Sequence, residues 1–253
     1  MHTSTDCSKC LMLPAADYTG QPANRQGAHA DSQKMAHHAC NTSPPLSGCL
    51  KNLFDCRLLE YPTALLNTIV SESEQKLPSG LLYTLYSYVP WVYGHSIHVA
   101  IISLVLAIHL GYAPSALHDI GLGAFLHDIG KLLIPKTILE KEGPLTHFEM
   151  VDMRQHCILG IGLIKDSDLP EDCTTVILQH HERMDGSGYP YGVSGTHIHR
   201  NSQIVMVADV LDALTSHRPY RMAYGKDTAL EIMGEEACRF SEDILDVLKA
   251  VLK

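Results

Sequence analysis

The chain has 253 residues, enough for one sizeable hydrophobic core and a modest additional segment. With 19 basic against 28 acidic residues the formal net charge is −9, which argues against a protein that coats a nucleic-acid polymer, because such binding needs clustered positive charge. A composition 45% hydrophobic and 19% charged is that of a folded globular chain, and it leaves room for a small anionic substrate held by a few local cations.

Residues 1–58 read as a poorly ordered leader: Ala, Ser, Thr, Asn, Gly and Pro dominate and no helical or strand period persists. Five of the eight cysteines lie there, Cys7, Cys10, Cys40, Cys49 and Cys56, beside His29, His37 and His38. Cys7-x-x-Cys10 has the bite of half a tetrahedral zinc site. No second Cys-x-x-Cys recurs, so a flexible leader is the simpler reading, with a metal-binding or redox-responsive one as the alternative. The N-terminus lacks the basic stretch and apolar core of a secretory signal. The longest apolar run, Val99 to Ile108, is shorter than the roughly 20 residues of a membrane span. A cytoplasmic location without a membrane span is expected, with the cysteines as thiols or ligands.

Residues 59–253 read as all-α. Pro62 opens a helix through Ala64, Leu65, Thr68 and Ile69, and a second helix follows Pro78. From His95 to Leu110, residues Val99, Ile102, Leu106 and Leu110 form a buried helical stripe closed by Gly111. Pro114-Ser115 opens a helix that runs to His127-Asp128. Thr146 and Glu149 have the spacing of a capping box. Asp168-Leu-Pro170 starts a helix carrying Val176, Ile177, His180 and His181; further helices cover Gln203 to Leu214 and Thr228 to Ala237, and Ser241 caps the last. Cys157, Cys173 and Cys238 read as core packing.

Sixteen histidines, about 6% of the chain, point to chemistry. His98, His109, His118, His147, His197 and His199 have ordinary packing or surface explanations. His95, His127-Asp128, His156, His180-His181 and Asp209 do not, because imidazole nitrogen and carboxylate oxygen are the donors that suit divalent transition metals. A carboxylate beside a ligating imidazole can bridge two ions, and helices converging on one centre can each lend one or two ligands.

His127-Asp128-Ile-Gly130-Lys131, the segment from His180 to Pro190 containing Gly188-Tyr189-Pro190, and the segment from Asp209 to Arg221 resemble the HD-GYP subgroup of the HD metal-dependent phosphohydrolases. The resemblance runs from His95 to Leu252, roughly three-fifths of the chain. It implies an all-α HD-domain helical bundle that hydrolyses cyclic di-GMP, or a related cyclic dinucleotide, by a metal-bridging hydroxide. Carried over by motif, the metal ligands are His95, His127, Asp128, His156, His180, His181 and Asp209, with Asp128 as the bridge. Lys131 faces the scissile phosphate, Tyr189 contacts the nucleotide, and Arg218 and Arg221 hold phosphate oxygens. Family members with a third ion supply a Glu one turn before the upstream His; here that position is Trp91, whose indole cannot ligate, so two ions, iron or manganese, are expected. Cys157 and Leu211 replace a common Pro and Phe without expected effect on the chemistry.

In that reading Asp128 and Lys131 are the catalytic pair, with Lys131 a point charge at the reacting phosphorus. Gly186 and Gly188 permit positive-φ turns in the loop that carries Tyr189. Two other functions compete: hydrolysis of a different cyclic nucleotide such as cyclic GMP-AMP, and non-catalytic dinucleotide binding in a signalling module. A homodimer or a signalling-protein partner is compatible with either.

Overall fold

The computed structural model describes residues 48–216 and 222–252. Their α-helices are α1 (Gly48–Leu53), α2 (Cys56–Ser73), α3 (Leu81–Tyr88), α4 (Pro90–His109), α5 (Pro114–Leu126), α6 (Lys136–Leu139), α7 (His147–Arg154), α8 (His156–Ile164), α9 (Glu171–Gln179), α10 (Arg200–Thr215), α11 (Lys226–Glu235) and α12 (Glu242–Val251). Single 3-10 turns lie at Ile129–Leu133, Gly195–His197 and Ala237–Arg239, and the described residues contain no strand. The all-α expectation holds.

Local signals set most boundaries. Pro90 and Pro114 occupy the first turns of α4 and α5, where a missing N–H costs nothing. Gly111, at φ +78°, takes the left-handed conformation that lets the chain leave α4. Thr146 accepts from the Glu149 amide at 3.3 Å while the Glu149 carboxylate accepts from the Thr146 amide at 2.7 Å, which completes the capping box of α7. At α12 the Ser241 hydroxyl donates to Asp243 at 2.6 Å instead of capping an amide.

The leader boundary at residue 58 is corrected. Leu50, Leu53 and Phe54 are buried in the main core, and the Cys49 thiol donates to the Thr215 carbonyl at 3.1 Å, so the helical body includes α1. Six residues make fewer than two turns, too few for a period to show in the sequence. α2 likewise begins before Pro62: Asp55 accepts from the Arg57 amide at 2.9 Å, and Pro62 lies inside the helix on its buried face. Cys7, Cys10, Cys40, His29, His37 and His38 lie outside the described residues.

Two helices form the centre. α4 buries twelve of its twenty residues and packs on α2, α3, α5, α10 and α12. α10 buries fourteen of its sixteen residues, among them Asp209 and Asp212. Helices apolar on all sides are those surrounded by other helices, so the expected stripe of Val99, Ile102 and Leu106 widens to include Ile101, Leu104 and Val105. α4 is also long and apolar enough to cross a membrane by length and composition, contrary to the expectation that no such segment exists. The helix begins at Pro90, ahead of Val99, and about two-thirds of its apolar 18-residue window lies inside the bundle. Of the cysteines assigned to packing, Cys157 and Cys173 are buried and Cys238 is exposed.

Candidate metal centre

Helix ends position the imidazoles. His127 is the C-terminal cap of α5, His156 opens α8 just after α7 stops, and His180 caps α9. A helix end leaves carbonyls of the last turn without partners, and each ring uses one. His127 Nδ1 lies 2.7 Å from the Ala124 carbonyl, His156 Nδ1 2.7 Å from the Met153 carbonyl, and His180 Nδ1 3.0 Å from the Ile177 carbonyl. A carbonyl only accepts, so Nδ1 carries the proton in all three rings and Nε2 presents a bare lone pair. Backbone orientation of this kind is usual for histidines that ligate metals.

These lone pairs converge on Asp128, which sits in the turn between α5 and the 3-10 turn Ile129–Leu133 and is 1% exposed. Asp128 Oδ1 lies 3.3 Å from His156 Nε2 and 3.9 Å from His180 Nε2. Its other oxygen, Oδ2, lies 3.4 Å from His127 Nε2, 3.7 Å from His95 Nε2 and 2.6 Å from Lys131 Nζ. Ligand atoms of Asp128, His156, His180 and His181 lie within 4.8 Å of one another, and so do those of His95, His127 and Asp209. All seven residues expected to ligate are brought together, in two adjacent groups spanned by one carboxylate.

The residues fit divalent cations. His156 Nε2 and His180 Nε2 face each other at 3.2 Å, an unfavourable meeting of two lone pairs unless a positive charge lies between them. Burial holds the His156 pKa down to about 4 and that of His180 well below the ordinary imidazole value, so a shared proton does not supply that charge near neutrality. His127 Nε2 and Asp128 Oδ1 are buried without a hydrogen-bond partner. Buried polar atoms are rarely left so, and an ion would complete both. Burial alone would raise the Asp128 pKa, but the ammonium of Lys131 beside it holds it well below the carboxylate range, so the acid is an anion.

His95 is set by a carboxylate instead of a carbonyl. It lies in the second turn of α4, not at the helix start, with Nδ1 2.6 Å from Asp212 Oδ2 and Nε2 3.1 Å from Asp209 Oδ1. Burial alone would lower its pKa; hydrogen bonds to Asp209 and Asp212 outweigh that and raise it to about 9. Asp212 lies outside the expected ligand set, and His98, a packing residue by its sequence context, joins it at 2.9 Å. The signal was available: His95 and His98 are three apart on α4, and Asp209 and Asp212 are three apart on α10, matching pairs on facing helices.

Asp212 Oδ1 also accepts from Ser216 Oγ at 2.7 Å. An amide has one oxygen to offer. Asp212→Asn that keeps it on His98 and Ser216 turns its NH₂ toward His95, forcing the proton onto Nε2, which points into the centre. Metal affinity is expected to fall about 10- to 100-fold, measured by competition with a chelator. Unchanged affinity would remove Asp212 from this role.

Lys131 is buried, and its ammonium also lies 5.5 Å from the Trp91 ring. The position that the resemblance reserves for a Glu thus holds an aromatic beside the lysine. Tyr189 stacks on His181 with centroids 4.6 Å apart and planes 29° apart, and its amide donates to the His181 carbonyl at 3.1 Å. Glu182 anchors the loop by accepting from the Tyr191 amide at 2.8 Å. Gly186 has the expected positive φ, at +79°, but Gly188 does not. Its reason is space: a Cβ there would lie 2.4 Å from Glu182 Cα and 2.5 Å from the Arg183 nitrogen. Arg218 and Arg221 lie outside the described residues.

The HD domain family matches residues 82–244. The chain is 43% identical over 128 residues to the cyclic di-GMP phosphodiesterase response regulator RpfG of Xanthomonas campestris, covering 50% of this chain and 34% of that protein. It is 35% identical over 246 residues to the cyclic di-GMP phosphodiesterase PA4108 of Pseudomonas aeruginosa, covering 91% and 59%. To the 3'3'-cGAMP-specific phosphodiesterase 3 of Vibrio cholerae it is 36% identical over 146 residues, covering 58% and 32%. The chain thus spans between 32% and 59% of the length of these relatives. Among solved structures, the HDG"Y"P protein Bd1817 of Bdellovibrio bacteriovorus shares the fold with a TM-score of 0.56 at 18% identity, covering 88% of this chain and 70% of that one. By the match over residues 82–244 and the centre that those helices assemble, the chain belongs to the HD domain family.

Proposed function

We propose that this chain hydrolyses a phosphodiester bond of cyclic di-GMP with two divalent cations, iron or manganese. The observation that carries the proposal is Asp128, whose two oxygens face two separate groups of nitrogen and oxygen donors. The relatives named as cyclic di-GMP phosphodiesterases support the substrate. When bound, the cations supply electrophilic charge at the scissile phosphate and make water acidic enough to attack near neutrality.

The chain's own residues do the rest. His95, His127, His156, His180, His181, Asp128 and Asp209 would hold the ions, four of them already oriented by carbonyls or by Asp212. Lys131, held by Asp128 at 2.6 Å, adds fixed positive charge beside the phosphoryl oxygens, which carry the negative charge of the transition state. Tyr189 walls the pocket beside His181 and, in our reading, contacts the nucleotide through its ring edge. Arg218 and Arg221, in our reading, hold phosphate oxygens. In the overall step a water oxygen bonds to phosphorus, the bond from phosphorus to the 3′-oxygen breaks, and the leaving oxygen takes up a proton. A linear dinucleotide is released.

The test is incubation of anaerobically prepared protein, loaded with ferrous or manganous ion, with cyclic di-GMP and in parallel with 3′3′-cyclic GMP-AMP. Linear product from cyclic di-GMP, with the higher kcat/KM of the two, is expected. Preference for the mixed dinucleotide would move the chain toward the 3'3'-cGAMP-specific relative. Binding without product from either, undiminished in His127→Ala, would leave only a sensing module.

A further inference from the structure

We propose that Arg154 holds the second, non-reacting phosphate of the cyclic dinucleotide, a role that rests on the phosphodiesterase reading above. Arg154 is the last residue of α7, two before His156, and its side chain is exposed. Its guanidinium carbon lies 5.0 Å from the centroid of the Tyr189 ring. That ring stacks on His181 and lies 6.4 Å from the centroid of His156, so Arg154 stands at the rim of the centre, one aromatic ring away from two of its imidazoles.

The other nearby cations of the described residues are committed. Lys131 is tied to Asp128 at 2.6 Å. Arg183 donates to the Glu182 carbonyl at 2.8 Å and to the His180 carbonyl at 3.4 Å, bracing the turn that carries the imidazoles. Arg154 pairs with no carboxylate of the described residues; its contact there is the face of Tyr189. A guanidinium lying over an aromatic ring keeps donors at its edge for an anion, and its planar fork matches two phosphate oxygens.

The substrate class supplies the need. A cyclic dinucleotide carries two phosphodiester anions, and only one of them sits at the reacting position in a given turnover. The other lies away from the reacting position and is held more tightly where a cation faces it. Arg154 provides a local counter-charge on the same side as Tyr189, the wall assigned to the nucleotide. Recognition of two phosphates in one ligand then separates cyclic dinucleotides from simpler phosphodiesters.

The test compares Arg154→Met, which keeps an apolar stem against Tyr189, and Arg154→Lys with the unaltered protein, all loaded with manganous ion. Substrates are cyclic di-GMP and bis(p-nitrophenyl) phosphate, which has a single phosphodiester. For cyclic di-GMP, Arg154→Met is expected to raise KM about tenfold with kcat within about twofold, equivalent to about 1.4 kcal/mol of binding. Arg154→Lys recovers part of the loss. The gap between the unaltered protein and Arg154→Met narrows as salt rises from about 0.05 to 0.5 M, since an exposed charge contact is screened; a merely structural role of Arg154 does not produce that. An unchanged KM overturns the proposal, and so does an equal fall on both substrates, which would mean that Arg154 acts by placing Tyr189 or His156. If the unaltered protein cleaves the simple ester but not cyclic di-GMP, the substrate reading fails first and this role with it.

Discussion

Asp128→Asn is expected to lower kcat by at least about a thousandfold and to leave the protein with fewer than two ions per chain. The side chain keeps its shape, so the loss comes from charge and from donor count. Asp128 Oδ1 serves the group of His156 and His180, while Oδ2 serves that of His127 and His95. An asparagine presents one oxygen, so whichever way it turns, one group gains an N–H where a ligand is needed. The substitution also removes the anion 2.6 Å from the buried ammonium of Lys131. Leaving a buried charge without its partner costs about 3–5 kcal/mol, so the chelated, metal-free variant is expected to unfold at lower urea concentration than chelated parent. The two readouts separate the roles of Asp128: metal content reports the bridge, and metal-free stability reports the ion pair with Lys131. A variant that retains two ions and near-parental kcat would refute the bridging assignment outright.

Much of this centre was legible in the sequence because its residues come in dense, ordered motifs. His127-Asp128, His180-His181 and Asp209 are each recognisable locally, and the structure brings all seven expected donors within two adjacent groups. The helical signals that rest on backbone chemistry, such as Thr146 with Glu149 and the positive-φ Gly111, were legible for the same reason. What escaped the sequence depends on contacts between distant elements. Asp212 acts through α4, more than a hundred residues away, and its three-residue spacing from Asp209 gains meaning only once α10 faces α4. α1 is too short to show a period and is defined by where Leu50 and Phe54 are buried. α4 looked like an ordinary amphipathic helix because its stripe was visible, whereas only the packing of α10 and α5 around it shows why the remaining faces are apolar too.

Gly130→Ala should disable the centre without touching a ligand. Gly130 belongs to the His127-Asp128-Ile-Gly130-Lys131 motif, and the structure gives its physical reason. The 3-10 turn Ile129–Leu133 packs backbone to backbone on α8, and a Cβ on Gly130 would lie 1.9 Å from the His156 carbonyl oxygen and 2.6 Å from the Gly160 nitrogen. Both are main-chain atoms of a helix, so no side chain can swing aside; the turn and α8 must separate. Gly160 faces the same seam, with Gly130 N 3.3 Å from the Cβ it lacks, so α8 has no room to yield by sliding. Asp128 and Lys131 flank Gly130 on one side of the seam and His156 lies on the other, so separation pulls the bridging carboxylate away from its imidazole, now 3.3 Å distant. Displacements near 1 Å in a catalytic arrangement cost about a hundredfold in rate, and overpacking a tight contact costs about 1–3 kcal/mol. Gly162→Ala is the internal control: the same helix and the same chemical change, with open space around the new Cβ. Replacing an unstrained helical glycine there should stabilise the protein by up to about 1 kcal/mol, with kcat within about twofold of the parent. Equal behaviour of the two variants in urea titration and turnover would show that the seam between Gly130 and α8 does not set the centre. Loss confined to Gly130→Ala would show that the glycine after His127-Asp128 is there to bring two helices' worth of ligands within reach of one another.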